Sequence, residues 1–224
     1  QKLSIDLKAI DIKPPSKKKL LTEIQKLFPA KGIFISKIIV TRGESQTGYD
    51  FDKEIKPTRI LLKIDFNRNK YEIFKKGVHL TASNISAIKS SNSGIKDLNR
   101  LENVLARKGI SKNFFDAIMV DGNGNICDCA RSSLFVRFGK ILYTANNKYS
   151  GIHGVTKKII CENVKKLNLS IDYSALTLNQ LENADEVIVS NSIVGALQVV
   201  RFKKTKWERG TLANSITNLL NESD

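Results

Sequence analysis

The sequence predicts an α+β fold of two domains, and three observations carry that reading. Strand patterns dominate the first 88 residues, helix and strand patterns mix after them, and the switch falls in a Ser/Asn-rich link at 89–93. Tight turns such as Asp121-Gly122-Asn123-Gly124 and Gly139-Lys140 join neighbouring strands, which makes those pairs antiparallel and argues against a doubly wound sheet. The expected division is a smaller domain at 1–89 and a larger one at 90–224.

The elements follow in order. Residues 1–12 read as the end of one element, closed by the extended Pro14-Pro15 pair. A helix at 16–28 presents Leu20, Leu21, Ile24 and Leu27 on one face and is stopped by Pro29 and Gly32. Strands follow at 33–40 and 58–64, both rich in β-branched residues, and a third is expected at 78–88. Leu98, Leu101, Val104 and Leu105 recur at helical spacing, so the turn Ser93-Gly94 delivers Lys96 to the mouth of an amphipathic helix. Beyond it come strands at 115–120 and 125–130, a hairpin at 134–144, a helix from 155 to about 167, strands at 186–190 and 196–202, and a last helix at 211–220.

Composition bounds the function. A chain of 224 residues with 41% hydrophobic content can bury a real core. No apolar run approaches the roughly 20 residues that span a bilayer, and no signal-peptide pattern opens the chain, so a cytoplasmic protein without a membrane partner is expected. Cys127, Cys129 and Cys161 lack paired spacing and clustered histidines, which points to reduced structural thiols and to no metal site. A net charge of +15 suits either nucleic acid or an anionic small molecule. The lysines are spread along the chain, and one Trp with five Tyr makes no aromatic platform, so a small-molecule partner is expected and a specific nucleic acid is not.

The chemistry-bearing residues form a pattern. A lysine at a junction is useful when its amine is partly neutral, and the obvious task is a Schiff base with Lys96 as the amine. The loop Gly151-Ile152-His153-Gly154-Val155-Thr156 opens a helix, where free N–H groups and the helix dipole favour an anion. Asn191 and Ser192 emerge from a strand end and can add phosphate contacts. Each turn alone reads equally as an ordinary cap. Together with Asp128, an acid on a strand between two cysteines, they offer the amine, the acid and the phosphate cup that pyridoxal phosphate needs.

The runs GIKDLNRLENVLAR (94–107), DAIMVDGNGNICDCARSSLF (116–135), GIHGVTKKII (151–160) and ADEVIVSNSIVGALQV (184–199) resemble the fold-type IV pyridoxal-phosphate enzymes in order and spacing. The resemblance implies a two-domain architecture, with a smaller N-terminal α/β domain and a larger C-terminal domain built on a mixed, barrel-like sheet. It also implies pyridoxal 5'-phosphate as cofactor and a homodimer. Within that superfamily Lys-x-Leu-Asn-Arg-Leu-Glu, with Thr41-Arg42-Gly43 and Gly48-Tyr49 upstream, is similar to the aminodeoxychorismate lyases, which release 4-aminobenzoate and pyruvate for folate synthesis. The alternatives are a D-amino-acid or branched-chain aminotransferase of this fold, or a basic binding protein on a decayed scaffold.

The resemblance implies that Lys96 is the Schiff-base lysine and Asp128 the partner of the pyridine nitrogen. Val155 and Thr156 are implied as the first phosphate turn and Asn191 and Ser192 as the second. Arg42 and Arg100 are candidates for a substrate carboxylate, with a structural pairing to Glu102 favoured for Arg100. Three positions depart from the pattern: Asp128 stands for glutamate, Ser133 for asparagine and Thr47 for arginine. Relatives carry strands, a helix and a phosphate-binding arginine ahead of the position where Gln1 aligns, so a fragment is expected.

Overall fold

The computed structural model describes residues 1–28, 31–45, 48–52, 54–148 and 150–222, with the side chains of 68 and 70 left aside. The chain divides into two compact units, Gln1–Arg68 and Asn69–Asp224. Pro29 and Thr47 lie outside the described residues.

In the first unit, Lys2–Ala9 form α1 and Lys17–Leu27 form α2. Ser16 caps α2 by accepting the Lys19 N–H at 3.2 Å, satisfying one of the helix's orphan donors. Strands β1 (Phe34–Thr41) and β2 (Thr58–Asp65) pair antiparallel over their full length, from Phe34 opposite Asp65 to Thr41 opposite Thr58. Arg59 of β2 grips Glu23 of α2 with two parallel bonds of 3.0 and 2.8 Å, a fork geometry that fixes the helix against the ribbon.

A short helix, α3 (Arg68–Glu72), falls at the division and leads through a 3-10 turn into β3 (Val78–Ala82). The second unit continues with α4 (Leu101–Lys108), β4 (Asp116–Val120), β5 (Ile126–Cys129), β6 (Ser133–Phe138), β7 (Ile141–Tyr143), α5 (Val155–Asn163) and β8 (Ser170–Asp172). It closes with α6 (Leu178–Leu181), β9 (Glu186–Asn191), β10 (Gly195–Phe202), β11 (Thr205–Lys206) and α7 (Leu212–Asn221).

Among the described residues these strands make one nine-stranded sheet in the order β5-β4-β3-β10-β9-β6-β7-β8, with β11 on β10. The sheet is mixed: β3 runs parallel to both β4 and β10, and β7 runs parallel to β8. It curls on itself. The edge strand β5 bonds back to the start of β6 through Cys129 N–H to Ser132 O at 2.9 Å, and Ile126 N–H reaches Leu176 O at 2.7 Å beyond β8. Strand alternation then separates two cores. Leu80, Ile118, Val187, Val189, Val199 and Phe202 fill the inside of the curl, while Phe135, Ile160, Ile188, Ala196 and Ile216 sit under α5 and α7.

Three expectations change. The strand expected at 78–88 ends at Ala82, because residues beyond it follow β4 only through Ser83 N–H to Ile118 O and Ala87 N–H to Val120 O, both 2.8 Å. Since β3 is hydrogen-bonded between β4 and β10, it belongs to the second unit, and the link at 89–93 is a loop within that unit. The helix after Lys96 starts only at Leu101, with Arg100 at its cap and no capping side chain. Lys96 therefore lies in an extended segment five residues ahead of it.

Candidate active site

That segment is pinned elsewhere. Ser93 Oγ donates to Asn147 O at 2.8 Å, Gly94 N–H to Gly151 O at 3.1 Å and His153 N–H to Gly94 O at 3.0 Å, forming a parallel bridge between Gly94 and Ile152. Gly94 has φ +85°, and a Cβ there would stand 2.0 Å from the His153 ring, so only glycine allows this approach. The bridge sets Lys96 two residues from the loop that opens α5. Its side chain is exposed.

Arg100 holds the same segment from the other side. Its guanidinium donates to Ile95 O and lies 3.4 Å from Asp97 and 3.9 Å from Glu102. This is the structural pairing expected of it, extended by a contact that shapes the lysine segment. Arg42, in the first unit, donates to the carbonyls of Ile10 and Asp11 and stacks 3.7 Å over Phe51. Its guanidinium braces the end of α1.

Asp128 lies half-buried on β5. Its Oδ1 accepts the Leu134 N–H at 2.9 Å and its Oδ2 faces Ser133 Oγ at 3.4 Å. Burial pushes its carboxyl up to about 7, against the attraction of Lys157 and the bonds from the Leu134 and Cys129 N–H groups, and Asp116 adds repulsion. Burial also raises the thiols of Cys127, Cys129 and Cys161, which are unpaired and suited to packing more than to reaction.

The start of α5 comes to the same place. Gly154 is its N-cap and no side chain caps it, so the first N–H groups of the helix face outward. A Cβ on Gly154 would stand 3.5 Å from Ser133 Oγ, and one on Gly151 would stand 3.7 Å from Asp128 Oδ2. Thr156 is buried in the first turn and Val155 is exposed. Ser133 pairs with Ser190 across β6 and β9, so both hydroxyls project from one face. Ser190 Oγ is fully buried and has no hydrogen-bond partner among the described residues.

Asn191 follows Ser190. Its Oδ1 accepts the N–H groups of Ile193 and Val194 at 2.9 and 3.1 Å, which shapes the turn that presents the exposed Ser192. Of the expected residues, then, the structure gathers Asp128, Val155, Thr156, Asn191 and Ser192 at one end of the sheet, with Lys96 bridged to them. Arg42 belongs to the other unit.

Sequence reasoning missed several supports. Asp116, fully buried, accepts from Ser132 Oγ at 2.7 Å, Arg131 N–H at 3.2 Å and Ala117 N–H at 2.9 Å, and so holds the turn that delivers Ser133. Lys157 and Asn147 are also buried, and nothing in the pair Lys157-Lys158 signals that only the first lysine is. A cavity of about 190 Å³ opens behind Asn147, between β5, β6 and residues 173–176, but neither Lys96 nor Asp128 lines it.

These elements can hold an anion at the α5 turn and offer a carboxylate beside it, with the Lys96 segment bridged to the same loop. Known proteins are similar to this chain. The chain is 27% identical over 165 residues to an aminodeoxychorismate lyase of Vibrio harveyi, covering 73% of this chain and 61% of that enzyme. It is 29% identical over 174 residues to a D-alanine aminotransferase of Staphylococcus haemolyticus, covering 76% and 59%. The matches thus span about three fifths of the length of these relatives. The solved 4-amino-4-deoxychorismate lyase of Pseudomonas aeruginosa superposes with a TM-score of 0.87 at 26% identity, over 99% of this chain and 82% of that one. The family described as amino-transferase class IV matches residues 3–202. The chain belongs to that family of pyridoxal-phosphate-dependent enzymes, and its fold is the fold-type IV architecture.

Proposed function

We propose that this protein is a pyridoxal-phosphate-dependent lyase that converts 4-amino-4-deoxychorismate to 4-aminobenzoate and pyruvate, supplying folate synthesis. The observation that carries the reading is the convergence of the Lys96 segment, Asp128 and the uncapped start of α5, held together by the Gly94–Ile152 bridge. The likeness to the Vibrio and Pseudomonas lyases supports the substrate.

The residues fit the cofactor. Ser190 Oγ, buried and without a partner among the described residues, lies beside Ser133, which faces the α5 turn, where a phosphate oxygen would complete it. The N–H groups of Val155 and Thr156 face the same anion, and Asn191 shapes the loop from which Ser192 adds a hydroxyl. Asp128 presents the acceptor for a protonated ring nitrogen. Lys96 supplies the amine that ties the cofactor to the chain. When bound, pyridoxal phosphate supplies an electron sink for the carbon that carries the substrate's nitrogen.

The chain's own residues do the rest. The Lys96 amine would take the proton from that carbon. Asp128, in its ionised form, would hold the ring nitrogen's proton and so keep the sink strong. Arg100 fixes the backbone at Ile95, which orients the lysine for the transfer. Departure of the enolpyruvyl group leaves an aromatic ring, which makes release of 4-aminobenzoate effectively irreversible.

Adding pyridoxal phosphate to wild type and Lys96→Ala tests this directly. Wild type acquires a visible band that borohydride traps on Lys96, and it releases fluorescent 4-aminobenzoate from 4-amino-4-deoxychorismate; Lys96→Ala does neither. Normal turnover by Lys96→Ala would overturn the assignment. The likeness to D-alanine aminotransferases favours a second reading, transamination of a D-amino acid. D-Alanine would then bleach the visible band by converting the cofactor to its pyridoxamine form, and no 4-aminobenzoate would appear.

We also propose a homodimer. Leu98, Leu101, Val104 and Leu105 make an exposed apolar stripe at α4, a face that a second copy would cover.

A further inference from the structure

Lys157 is a lysine in an unusual place. It stands one residue after Thr156 in the first turn of α5 and is 5% exposed, whereas Lys158 beside it is exposed. Its ammonium donates to Ala145 O and to Asn147 Oδ1. Asn147 is oriented in turn by its Nδ2, which donates to Cys127 O at 3.2 Å and Ser150 O at 3.1 Å, and its backbone adopts the left-handed conformation with φ 54°. Buried charges are expensive and persist when something compensates them. Here two carbonyl oxygens compensate, and the Asp128 carboxylate lies on the same side. A Cβ on Gly151 would stand 2.2 Å from Asn147 Nδ2 and 3.7 Å from Asp128 Oδ2, and one on Gly154 would stand 3.7 Å from Lys157 Cβ and 3.5 Å from the Ser133 hydroxyl that faces Asp128.

The charges around Asp128 divide by element. Lys157 on α5 attracts it, Asp116 on β4 repels it, and the thiols of Cys127 and Cys129 flank it on its own strand. Uncharged groups of β6, the Leu134 N–H and the Ser133 hydroxyl, meet its oxygens. Lys157 is thus the cation that opposes burial.

We infer that Lys157 is a positioning residue for Asp128: its buried ammonium, fixed through Asn147, favours the ionised form of the Asp128 carboxyl, the form that can hold a proton on the cofactor's ring nitrogen. The inference rests on the reading of Asp128 given above. Even with Lys157 attracting it, burial holds this carboxyl up at about 7; without that charge burial pushes it further toward the neutral acid, which cannot serve as that acceptor. A lysine one helical position past the proposed phosphate turn couples that turn to Asp128, because the lysine and the turn both belong to the first turn of α5.

The test is a pH titration by NMR of the protein without cofactor, following the Asp128 carboxyl carbon in wild type, Lys157→Gln, Lys157→Met and Lys157→Arg. Loss of the charge is expected to raise the midpoint by about one unit, a roughly fivefold loss of ionised carboxylate at neutral pH. Lys157→Arg is expected to restore it. An unmoved midpoint in a variant that merely melts lower would show a structural lysine and overturn the inference.

Wild type supplies an independent measurement should a variant not fold: the Lys157 Cε resonance must show a step at the Asp128 midpoint, and its absence would equally overturn the coupling. With cofactor added, Lys157→Gln is expected to bind it through Lys96 but to shift the pH profile of its visible band relative to wild type. An unshifted profile would remove the ring-nitrogen role while leaving the enzyme reading intact. Failure of wild type to take up pyridoxal phosphate would remove the enzyme reading and this role with it.

Discussion

Helices α4 and α5 are nearly equal in length, eight and nine residues, and each carries an apolar stripe at helical spacing. Their fates differ. Ile160 of α5 is fully buried against Phe135, Ile188 and Ile216, and the same helix buries Thr156 and Lys157 at its start. On α4, Leu101 and Val104 are more than half exposed, and only Ala106 is buried, against Met119 and Ala130. An amphipathic pattern announces that a stripe exists; it does not say what covers it. The turn proposed to hold phosphate thus sits on a helix locked to the sheet, while Lys96 sits on a segment ahead of a helix with an open face.

The sharpest way to break this contrast is Ile160→Ala. Deleting a side chain from beneath α5 is expected to cost about 2–5 kcal/mol, read by urea unfolding, and to weaken pyridoxal-phosphate binding along with it. A loss under 1 kcal/mol would mean that α5 is not the locked element described here.

Asp128 offers the next test. Its folded-state carboxyl lies near 7, above the ordinary 3.8, so the folded chain binds this proton more tightly than the unfolded chain. Its contribution is then fully favourable below about pH 4 and is lost as pH rises to about 7, at a slope of at most roughly 1.4 kcal/mol per unit. Asp128→Asn is expected to flatten that part of the stability profile, measured by unfolding without cofactor between pH 4 and 8. An unchanged slope would place the carboxyl in its ordinary range.

Gly94→Ala tests the bridge that ties the two regions together. The positive φ and the His153 ring both oppose a methyl there, so a loss of about 1–2 kcal/mol is expected, with faster amide exchange at Gly94 and His153. Unaltered exchange would show that the Lys96 segment does not depend on the bridge. Smallest of all, Leu101→Ser on the open face is expected to change the stability of an isolated chain by less than about 0.5 kcal/mol. If a second copy covers α4, the same change instead lowers the mass seen by light scattering; unaltered dimers would exclude this face as the contact.

The candidate residues themselves were legible in the sequence. Lys96 follows the turn at Gly94 and Val155-Thr156 follow Gly154 at a helix start, and such positions recur because turns and helix starts expose backbone groups to ligands, while Asp128 stood out as an acid within a strand. The supports were not. Asp116, Asn147 and Lys157 stand in unremarkable local sequence, and their importance arises from burial by residues far along the chain.

By itself the sequence determined where strands and helices run, through short-range periodicity and turn chemistry, and which residue types were available for cofactor chemistry. Tertiary structure decided that β3 joins the larger sheet, because parallel pairing is set by partners distant in the chain. It also decided that Lys157 is buried while Lys158 is exposed, because solvation depends on what packs against a residue, and that packing is a property of the folded chain as a whole.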